Sequence, residues 1–199
     1  MVRSEGVTVE AGSGSEFGRK RGKVFPATHA RSLVDPPRRL VQSPRRTVVG
    51  MALAPLARVL ELGCGPGFIG PFVAEAVPRG IVVLADLQFE MLACARERLC
   101  ARSKARYLQS DASLLPLRAG CFDAVLLATM LGEVPNRDAW GKEIHRVLAP
   151  GGIVTVVETR RDSDFIAFPK LYELFCCHAF VFVDRRRRRW RYAARFRAI

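Results

Sequence analysis

The chain has 199 residues, 49% of them hydrophobic, and a formal net charge of +13. This length fits one domain with a sizeable core, and the apolar content excludes a wholly disordered protein. No apolar run approaches the ~18 residues that cross a bilayer and no signal-peptide core is present, so we expect a cytoplasmic protein without a transmembrane segment.

The positive charge is concentrated at the two ends of the sequence. Residues 1–50 carry a net charge of +6 and residues 180–199 one of +7, whereas residues 51–179 are neutral. Such a distribution indicates anionic partners or solubility and carries no information about the fold.

The cysteines form no CxxC pair and have no histidine at metal-ligand spacing. We therefore predict reduced thiols and no metal site. Convergence of three thiols on a soft element such as arsenic stays open as the alternative. The six residues are Cys64, Cys94, Cys100, Cys121, Cys176 and Cys177.

The first fifty residues divide into two predicted segments. Residues 1–22 are rich in Gly, Ser and charge and predict a flexible basic tail. Residues 23–50 interleave Pro and Arg with short apolar pieces and predict a helical cover, with one short helix at 29–34 and another after a Pro-Pro turn. Residues 51–199 then form the main domain.

Short apolar runs alternate with helical patterns in the main domain. Strands are predicted at 58–62, 81–85, 105–109, 122–128 and 153–157, and helices at 68–77, 88–103 and 136–148. In the last of these helices four apolar residues share one face and Asn136 is the predicted N-cap. This alternation predicts a doubly wound, mostly parallel α/β sheet.

The end of the chain has a different pattern. A helix is predicted at 169–178 and strands at 180–183 and 189–197. In the last strand apolar residues, from Trp190 to Phe196, alternate with arginines, which is typical of a strand with one buried face. The arginine run between the two strands predicts a turn, so the sheet should finish with an antiparallel pair.

A glycine loop follows the first predicted strand, in the sequence Glu61-Leu62-Gly63-Cys64-Gly65-Pro66-Gly67. Glycines permit a sharp turn and let a ligand approach the backbone. A dinucleotide fingerprint needs its third glycine one residue later, where Phe68 stands, and this disfavours NAD. Glu61 would repel a pyrophosphate but would favour a cationic ligand such as a sulfonium-bearing amino acid.

Two more acids follow the next two predicted strands. Asp86 comes 23 residues after Gly63, where a carboxylate accepts hydrogen bonds from both ribose hydroxyls. Asp111 can accept the amine of an adenine. An ordinary loop acid and a helix cap are the respective alternatives, but the three features in register indicate one adenosyl ligand.

With these motifs the sequence resembles the class I S-adenosylmethionine-dependent methyltransferases, in the branch similar to the ubiquinone/menaquinone biosynthesis enzymes (methyltransferase type 11). The resemblance extends over about residues 25–197. It implies S-adenosylmethionine as the cofactor and a Rossmann-like, doubly wound, seven-stranded sheet in the order 3-2-1-4-5-7-6 with the last strand antiparallel. The matching segments are 61–67, 86–92, 111–117, 122–125 and 146–152.

The resemblance also implies cofactor contacts by position. Glu61 and the glycine loop would hold the methionine moiety, and Asp86 would bind the ribose. Leu87 and Met91 would flank the adenine ring, and Asp111 with Ala112 would contact its edge. Two residues after the fourth strand would line the pocket beneath the sulfonium. In chain order these are Glu61, Gly63, Cys64, Gly65, Gly67, Asp86, Leu87, Met91, Asp111, Ala112, Thr129 and Met130.

The methyl acceptor is less defined. Residues 129–135 lack the Asn/Asp-Pro-Pro-Tyr/Phe pattern of relatives that methylate amide or adenine nitrogen. Methyl transfer depends above all on in-line positioning, so a catalytic base is not obligatory. If one acts, the candidates are Glu133 at the pocket mouth and His29 in the cover; a solvated acid and a packing histidine are the alternatives.

These patterns together predict a methyltransferase acting on a small molecule, such as a quinone-like or lipid acceptor. An RNA or protein methyltransferase that uses the basic ends is one alternative, and a module that binds the nucleoside without catalysis is the other. We predict the five arginines from Arg185 to Arg189 as a solvated turn. Nucleic acid or an anionic membrane surface are the alternative partners of this run.

Overall fold

The computed structural model describes residues 25–35, 42–99 and 104–199. The tail predicted for residues 1–22 and the thiol of Cys100 lie outside the described residues. The strands are β1 Arg58–Leu62, β2 Ile81–Asp86, β3 Arg106–Gln109, β4 Phe122–Ala128, β5 Leu148–Thr159, β6 Phe180–Arg188 and β7 Arg191–Ala198. The α-helices are α1 Pro44–Met51, α2 Gly70–Ala76, α3 Phe89–Leu99, α4 Arg137–Val147 and α5 Phe168–Cys176, and 3-10 helices span Ala27–Val34 and Leu131–Glu133.

All seven strands join one sheet in the order β3-β2-β1-β4-β5-β7-β6. Strands β1 to β5 pair in parallel, whereas β7 is antiparallel to both β5 and β6. The predicted fold class and strand order are therefore confirmed. Because β6 runs in the same direction as β5, the β6–β7 turn lies at the sheet edge where β1 to β5 end, which we call the carboxyl edge.

Helices cover both faces of the sheet. On one face Trp140 of α4 and Phe175 of α5 are buried against each other, and Phe175 stacks on Phe196 of β7 at 4.4 Å between ring centroids. On the other face Val48, Val73 and Leu92 belong to a second apolar cluster, formed with α1, α2 and α3. The sheet is thus buried on both sides, as parallel sheets require.

Helix α4 begins and packs as the sequence predicts. The Asn136 side chain accepts a hydrogen bond from the Ala139 N–H at 3.1 Å and so caps the helix. Trp140, Ile144 and Val147 are fully buried on its apolar face. The capped start fixes the position of the loop between β4 and α4, which borders the cavity described below.

The prediction that Arg185 to Arg189 form a turn is wrong. Strand β6 continues to Arg188, which pairs with Arg191, so the turn contains only Arg189 and Trp190. A two-residue hairpin leaves both central residues outside the strands, and Trp190 is therefore 44% exposed instead of lying on the buried face. The other predicted apolar residues of β7 are buried, namely Tyr192, Ala194 and Phe196.

Strand β5 begins at Leu148, five residues earlier than predicted. The sequence Pro150-Gly151-Gly152, which lies between the helix predicted at 136–148 and the strand predicted at 153–157, is inside β5, beside a register shift in its pairing with β4. Gly151 adopts a φ of 75° there, which accommodates the irregularity. No helix among the described residues is long and apolar enough to span a membrane.

Candidate functional site

A cavity of about 810 Å³ opens at the carboxyl edge. Eleven of the twelve predicted cofactor residues line it, including Glu61, Asp86 and Asp111. Ligand sites of open α/β sheets form at this edge, where neighbouring strands end. The structure therefore brings the sequence motifs together around one space.

The glycine loop is held by its backbone conformation. Gly63, Gly65 and Gly67 all have positive φ, at 63°, 52° and 76°. A Cβ at Gly63 would lie 2.8 Å from the Met130 Cβ, so only glycine lets the two segments approach. The N–H of Cys64 donates to the Ala85 carbonyl at 3.1 Å, which ties the loop to β2.

Gly67 is the predicted cofactor residue that does not line the cavity. A Cβ at this position would lie 3.0 Å from the Ala95 Cα in α3. Gly67 thus allows α3 to pack closely against the loop, which is a structural task of the third glycine in such fingerprints.

Asp86 is fixed by two backbone donors. Its Oδ2 accepts from the Gly65 N–H at 2.8 Å and its Oδ1 from the Gln88 N–H at 3.0 Å. Burial raises the pKa of Asp86, while these hydrogen bonds oppose the rise. Each carboxylate oxygen keeps a further lone pair, so the group is oriented and can still accept hydroxyl hydrogens.

Glu61 is a buried acid on the cavity wall. Its burial, together with the nearby charge of Asp86, raises its pKa to about 8. Within the described residues its Oε2 has no hydrogen-bond partner. A buried, unpaired carboxylate oxygen is costly unless a ligand satisfies it, and a cationic group is suited to do so.

Asp111 lines the cavity and also shapes its own turn. Its Oδ1 accepts from both the N–H and the hydroxyl of Ser113, each at 2.7 Å. These hydrogen bonds lower its pKa. The carboxylate therefore stays ionised and is held in place at the end of β3.

Glu133 also lies on the cavity wall and contacts the N-terminal segment. Its Oε2 accepts from the Phe25 N–H at 3.1 Å, and the Phe25 carbonyl accepts from the Gln88 side chain at 2.8 Å. Burial raises the pKa of Glu133 to about 7, with smaller contributions from the charges of Asp162, Asp164 and Asp86. An acid with this pKa can exchange a proton near neutrality.

His29 does not line the cavity. Its side chain is exposed, lies 3.2 Å from the Thr28 hydroxyl through Nδ1, and packs edge-on against Phe25. The structure thus brings only one of the two predicted bases to the cavity.

Sequence reasoning missed seventeen lining residues, which fall into two groups. Thirteen lie at or just after the carboxyl ends of β1 to β5, and the strand-end rule could have found them. The four in the N-terminal segment carry no local signal. The first group is Leu62, Pro66, Phe68, Ile69, Ala85, Gln88, Ser110, Ala128, Val134, Pro135, Thr159, Arg161 and Asp162, and the second is Phe25, Ser32, Leu33 and Gln42.

A family model described as "Methyltransferase domain" matches residues 59–152, the part of the chain that carries the glycine loop, Asp86, Asp111 and Glu133. Residues 59–152 are therefore similar to a methyltransferase domain, and they are called the methyltransferase domain below. The predicted resemblance is confirmed, and this family and fold imply S-adenosylmethionine as the cofactor. The roles of the individual residues stay predictions.

Two curated relatives of the methyltransferase domain have names that refer to quinones. Demethylmenaquinone methyltransferase of Thermus thermophilus is 40% identical over 117 residues, which are 57% of this chain and 53% of that protein. Ubiquinone/menaquinone biosynthesis C-methyltransferase UbiE of Syntrophotalea carbinolica is 34% identical over 130 residues, which are 65% of this chain and 53% of that protein. The chain therefore spans about half the length of the curated relatives it matches.

Solved structures share the fold at low sequence identity. A SAM-dependent methyltransferase from Aquifex aeolicus has a TM-score of 0.83 at 18% identity, over 88% of this chain and all of that one. The [4+2]-cyclase SpnF has a TM-score of 0.68 at 20% identity, over 78% of this chain and 80% of that one. Neighbours of the methyltransferase domain thus include a cyclase, and the fold alone does not define the reaction.

The residues of the methyltransferase domain fit this cofactor. The unpaired Oε2 of Glu61 is suited to the cationic methionine end, and the oriented carboxylate of Asp86 is suited to accept hydrogen bonds from the ribose. No cluster of three or more His, Cys, Asp or Glu within the described part of the chain could hold a metal ion.

Proposed function

We propose that this chain transfers the methyl group of S-adenosylmethionine to a quinone-like small molecule. The observation that carries the proposal is the single cavity shared by the cofactor motifs and Glu133. The names of the two curated relatives support the quinone-like class of acceptor.

The cofactor, when bound, supplies an electrophilic methyl carbon on a positively charged sulfur. Asp86 is expected to accept hydrogen bonds from the ribose hydroxyls, because backbone donors already fix its orientation. Glu61 is expected to face the methionine end, where the positive charge would favour its ionised form and lower its pKa. Both acids thus bind and orient, and neither needs to transfer a proton.

Glu133 is the proposed general base. A base acts best when its pKa is close to the working pH, and the pKa of Glu133 is about 7. It would accept the proton that the acceptor loses as the acceptor bonds to the methyl carbon. The electron pair of the broken carbon–sulfur bond stays on sulfur.

We also propose that the segment predicted as residues 23–50 covers the cavity. Phe25, Ser32, Leu33 and Gln42 line it from this side. Excluding water there would strengthen the electrostatic interactions of the buried acids.

Replacing Glu133 by Gln tests the base. We expect kcat/KM with reduced demethylmenaquinone to fall about a hundredfold. The wild-type rate should rise with pH through about 7 and then level, because only the ionised Glu133 accepts a proton. This rise should be absent in Glu133→Gln, while calorimetric affinity for S-adenosylmethionine is retained.

Asp164→Asn provides the matched control. The charge of Asp164 helps to raise the pKa of Glu133. Removing this charge should therefore shift the pH-dependent rise of the methyl-transfer rate to lower pH without abolishing it. A Glu133→Gln enzyme with the parental rate and pH profile would exclude Glu133 as the base. Intact cofactor binding without any methyl transfer by the parent would contradict the proposed function itself.

A further inference from the structure

The tip of the β6–β7 hairpin lies beside the cavity. The Arg160 N–H donates to the Trp190 carbonyl at 2.8 Å, which fixes the tip next to the end of β5. Arg161 lines the cavity, and its guanidinium also lies over the Trp190 ring at 5.7 Å. One residue therefore borders both the cavity and the tip.

The hairpin carries more arginines than its acid Asp184, which also attracts Arg186, can neutralise. Arg195 forms an ion pair with Asp184. In contrast, none of the arginines from Arg185 to Arg189 forms an ion pair with any carboxylate of the described residues, and all five are exposed. This surface, together with Trp190, is called the hairpin tip below.

A small cleft lies between the hairpin tip and the start of α5. Its volume is about 180 Å³, and no acid lines it. The Arg185 guanidinium covers the Phe168 ring there at 4.1 Å. The arginines that line the cleft are Arg160, Arg185, Arg187, Arg188 and Arg191. Several guanidinium groups around one small space favour a phosphate group.

Apolar side chains are exposed along the same edge, on the other side of the cavity mouth. Phe89 follows β2 and is 64% exposed, and Leu114 follows β3 and is 78% exposed. The carboxyl edge thus presents arginines and a tryptophan at one end and bare apolar groups at the other, with the cavity between them.

We infer that the hairpin tip docks the protein on an anionic phospholipid membrane, with lipid phosphates held by the arginines and the cavity mouth facing the bilayer. Basic clusters bind anionic leaflets, and Trp is enriched at the membrane–water interface. Single-stranded RNA is less suited to this surface, because guanidinium groups already lie over the Trp190 and Phe168 rings on which bases would stack.

Vesicle sedimentation tests the docking with the full chain. The protein should pellet with phosphatidylcholine vesicles that contain phosphatidylglycerol and stay unbound with pure phosphatidylcholine. Changing Arg185, Arg187 and Arg188 together to Gln should weaken binding about a hundredfold, since each basic residue near an anionic surface contributes roughly fivefold. Retained melting temperature would show that the variant is folded.

A control of equal charge comes from arginines away from the carboxyl edge. Arg79, Arg106 and Arg118 are exposed, and their joint change to Gln removes the same three charges. This variant should bind vesicles nearly as well as the parent. Equal loss in both variants would overturn the docking surface, because only the net charge would then matter.

Tryptophan fluorescence distinguishes insertion of Trp190 into the membrane–water interface from electrostatic attraction of the protein to the vesicle surface. Trp140 is fully buried, so a change in emission on vesicle binding reports Trp190. We expect a blue shift with anionic vesicles; unchanged emission would overturn the inferred orientation.

Two further outcomes would replace the proposal with another ligand. Displacement by millimolar inorganic phosphate, but not by sodium chloride at equal ionic strength, would indicate a site for free phosphate. Tight binding of single-stranded RNA without vesicle binding would indicate a nucleic-acid surface. All these measurements omit cofactor and acceptor, so their failure is independent of the proposed methyl transfer.

Discussion

The two halves of the cavity are built in different ways. In the half predicted to hold the cofactor, called the cofactor half and formed mainly at the ends of β1, β2 and β3, Asp86 is held by backbone donors that lie 21 and 2 residues away in the chain. In the half proposed to hold the acceptor, called the acceptor half and formed by the N-terminal segment, the region of Glu133 and the loop after β5, Glu133 is held by Phe25, 108 residues away. The cofactor half therefore belongs to the sheet itself, whereas the acceptor half depends on a separate segment packing over it.

Removing the N-terminal segment should give the largest difference between the two halves. Deletion of residues 1–42 ends before α1 and takes away Phe25, Ser32, Leu33 and Gln42 from the cavity wall. We expect methyl transfer to fall to background while calorimetric affinity for S-adenosylmethionine stays within about threefold, because the cofactor half is left in place. Deletion of residues 1–22 alone is the control and should leave turnover unchanged. Full activity of the longer deletion would show that the segment is not a cover.

Changing Asp86 to Ala should affect the cofactor half directly. Two charge-assisted hydrogen bonds to the ribose would be lost, each contributing roughly 1.5–3 kcal/mol. We expect calorimetric affinity for S-adenosylmethionine to fall by about a hundredfold or more. Glu90→Ala, which removes an acid from the start of α3, serves as the comparison. An Asp86→Ala protein that binds as tightly as the parent would rule out the ribose assignment.

Gly67 offers the smallest and most selective test, because it belongs to the loop motif but not to the cavity wall. Ala at this position must adopt a φ of 76° and place its Cβ 3.0 Å from the Ala95 Cα. We expect the free energy of unfolding in urea to drop by about 2 kcal/mol, with less than about twofold change in cofactor affinity at a temperature where the protein is folded. A large loss of affinity without loss of stability would mean that Gly67 contacts the ligand after all.

The same contrast explains what could be read from the sequence. Glu61, Asp86 and Asp111 each follow a buried strand, and parallel strands bring their carboxyl ends to one edge. Knowledge of the strand order therefore sufficed to place these acids around one cavity. The helix face of Trp140 and Ile144 was equally predictable, because its period is local.

Features that depend on distant contacts were not predictable in this way. Nothing near Phe25 indicates that its peptide group meets Glu133, and a histidine in the same segment was an equally plausible base by composition. The position of Trp190 depended on a strand register that pairs Arg188 with Arg191. A shift of one residue exchanges the faces of a strand, and the alternation alone could not show where the turn begins.

The peptide group of Phe25 connects both halves, since its N–H reaches Glu133 and its carbonyl reaches Gln88, two residues beyond Asp86. A chain segment pinned at these two points lies across the cavity, between the loop after β4 and the loop after β2. We therefore expect compulsory-order kinetics, in which S-adenosylmethionine enters first and S-adenosylhomocysteine departs last. In such a sequence S-adenosylhomocysteine would inhibit competitively against S-adenosylmethionine but not against the acceptor. An enzyme docked on a membrane as inferred above would then bind its methyl donor before the acceptor reaches the cavity.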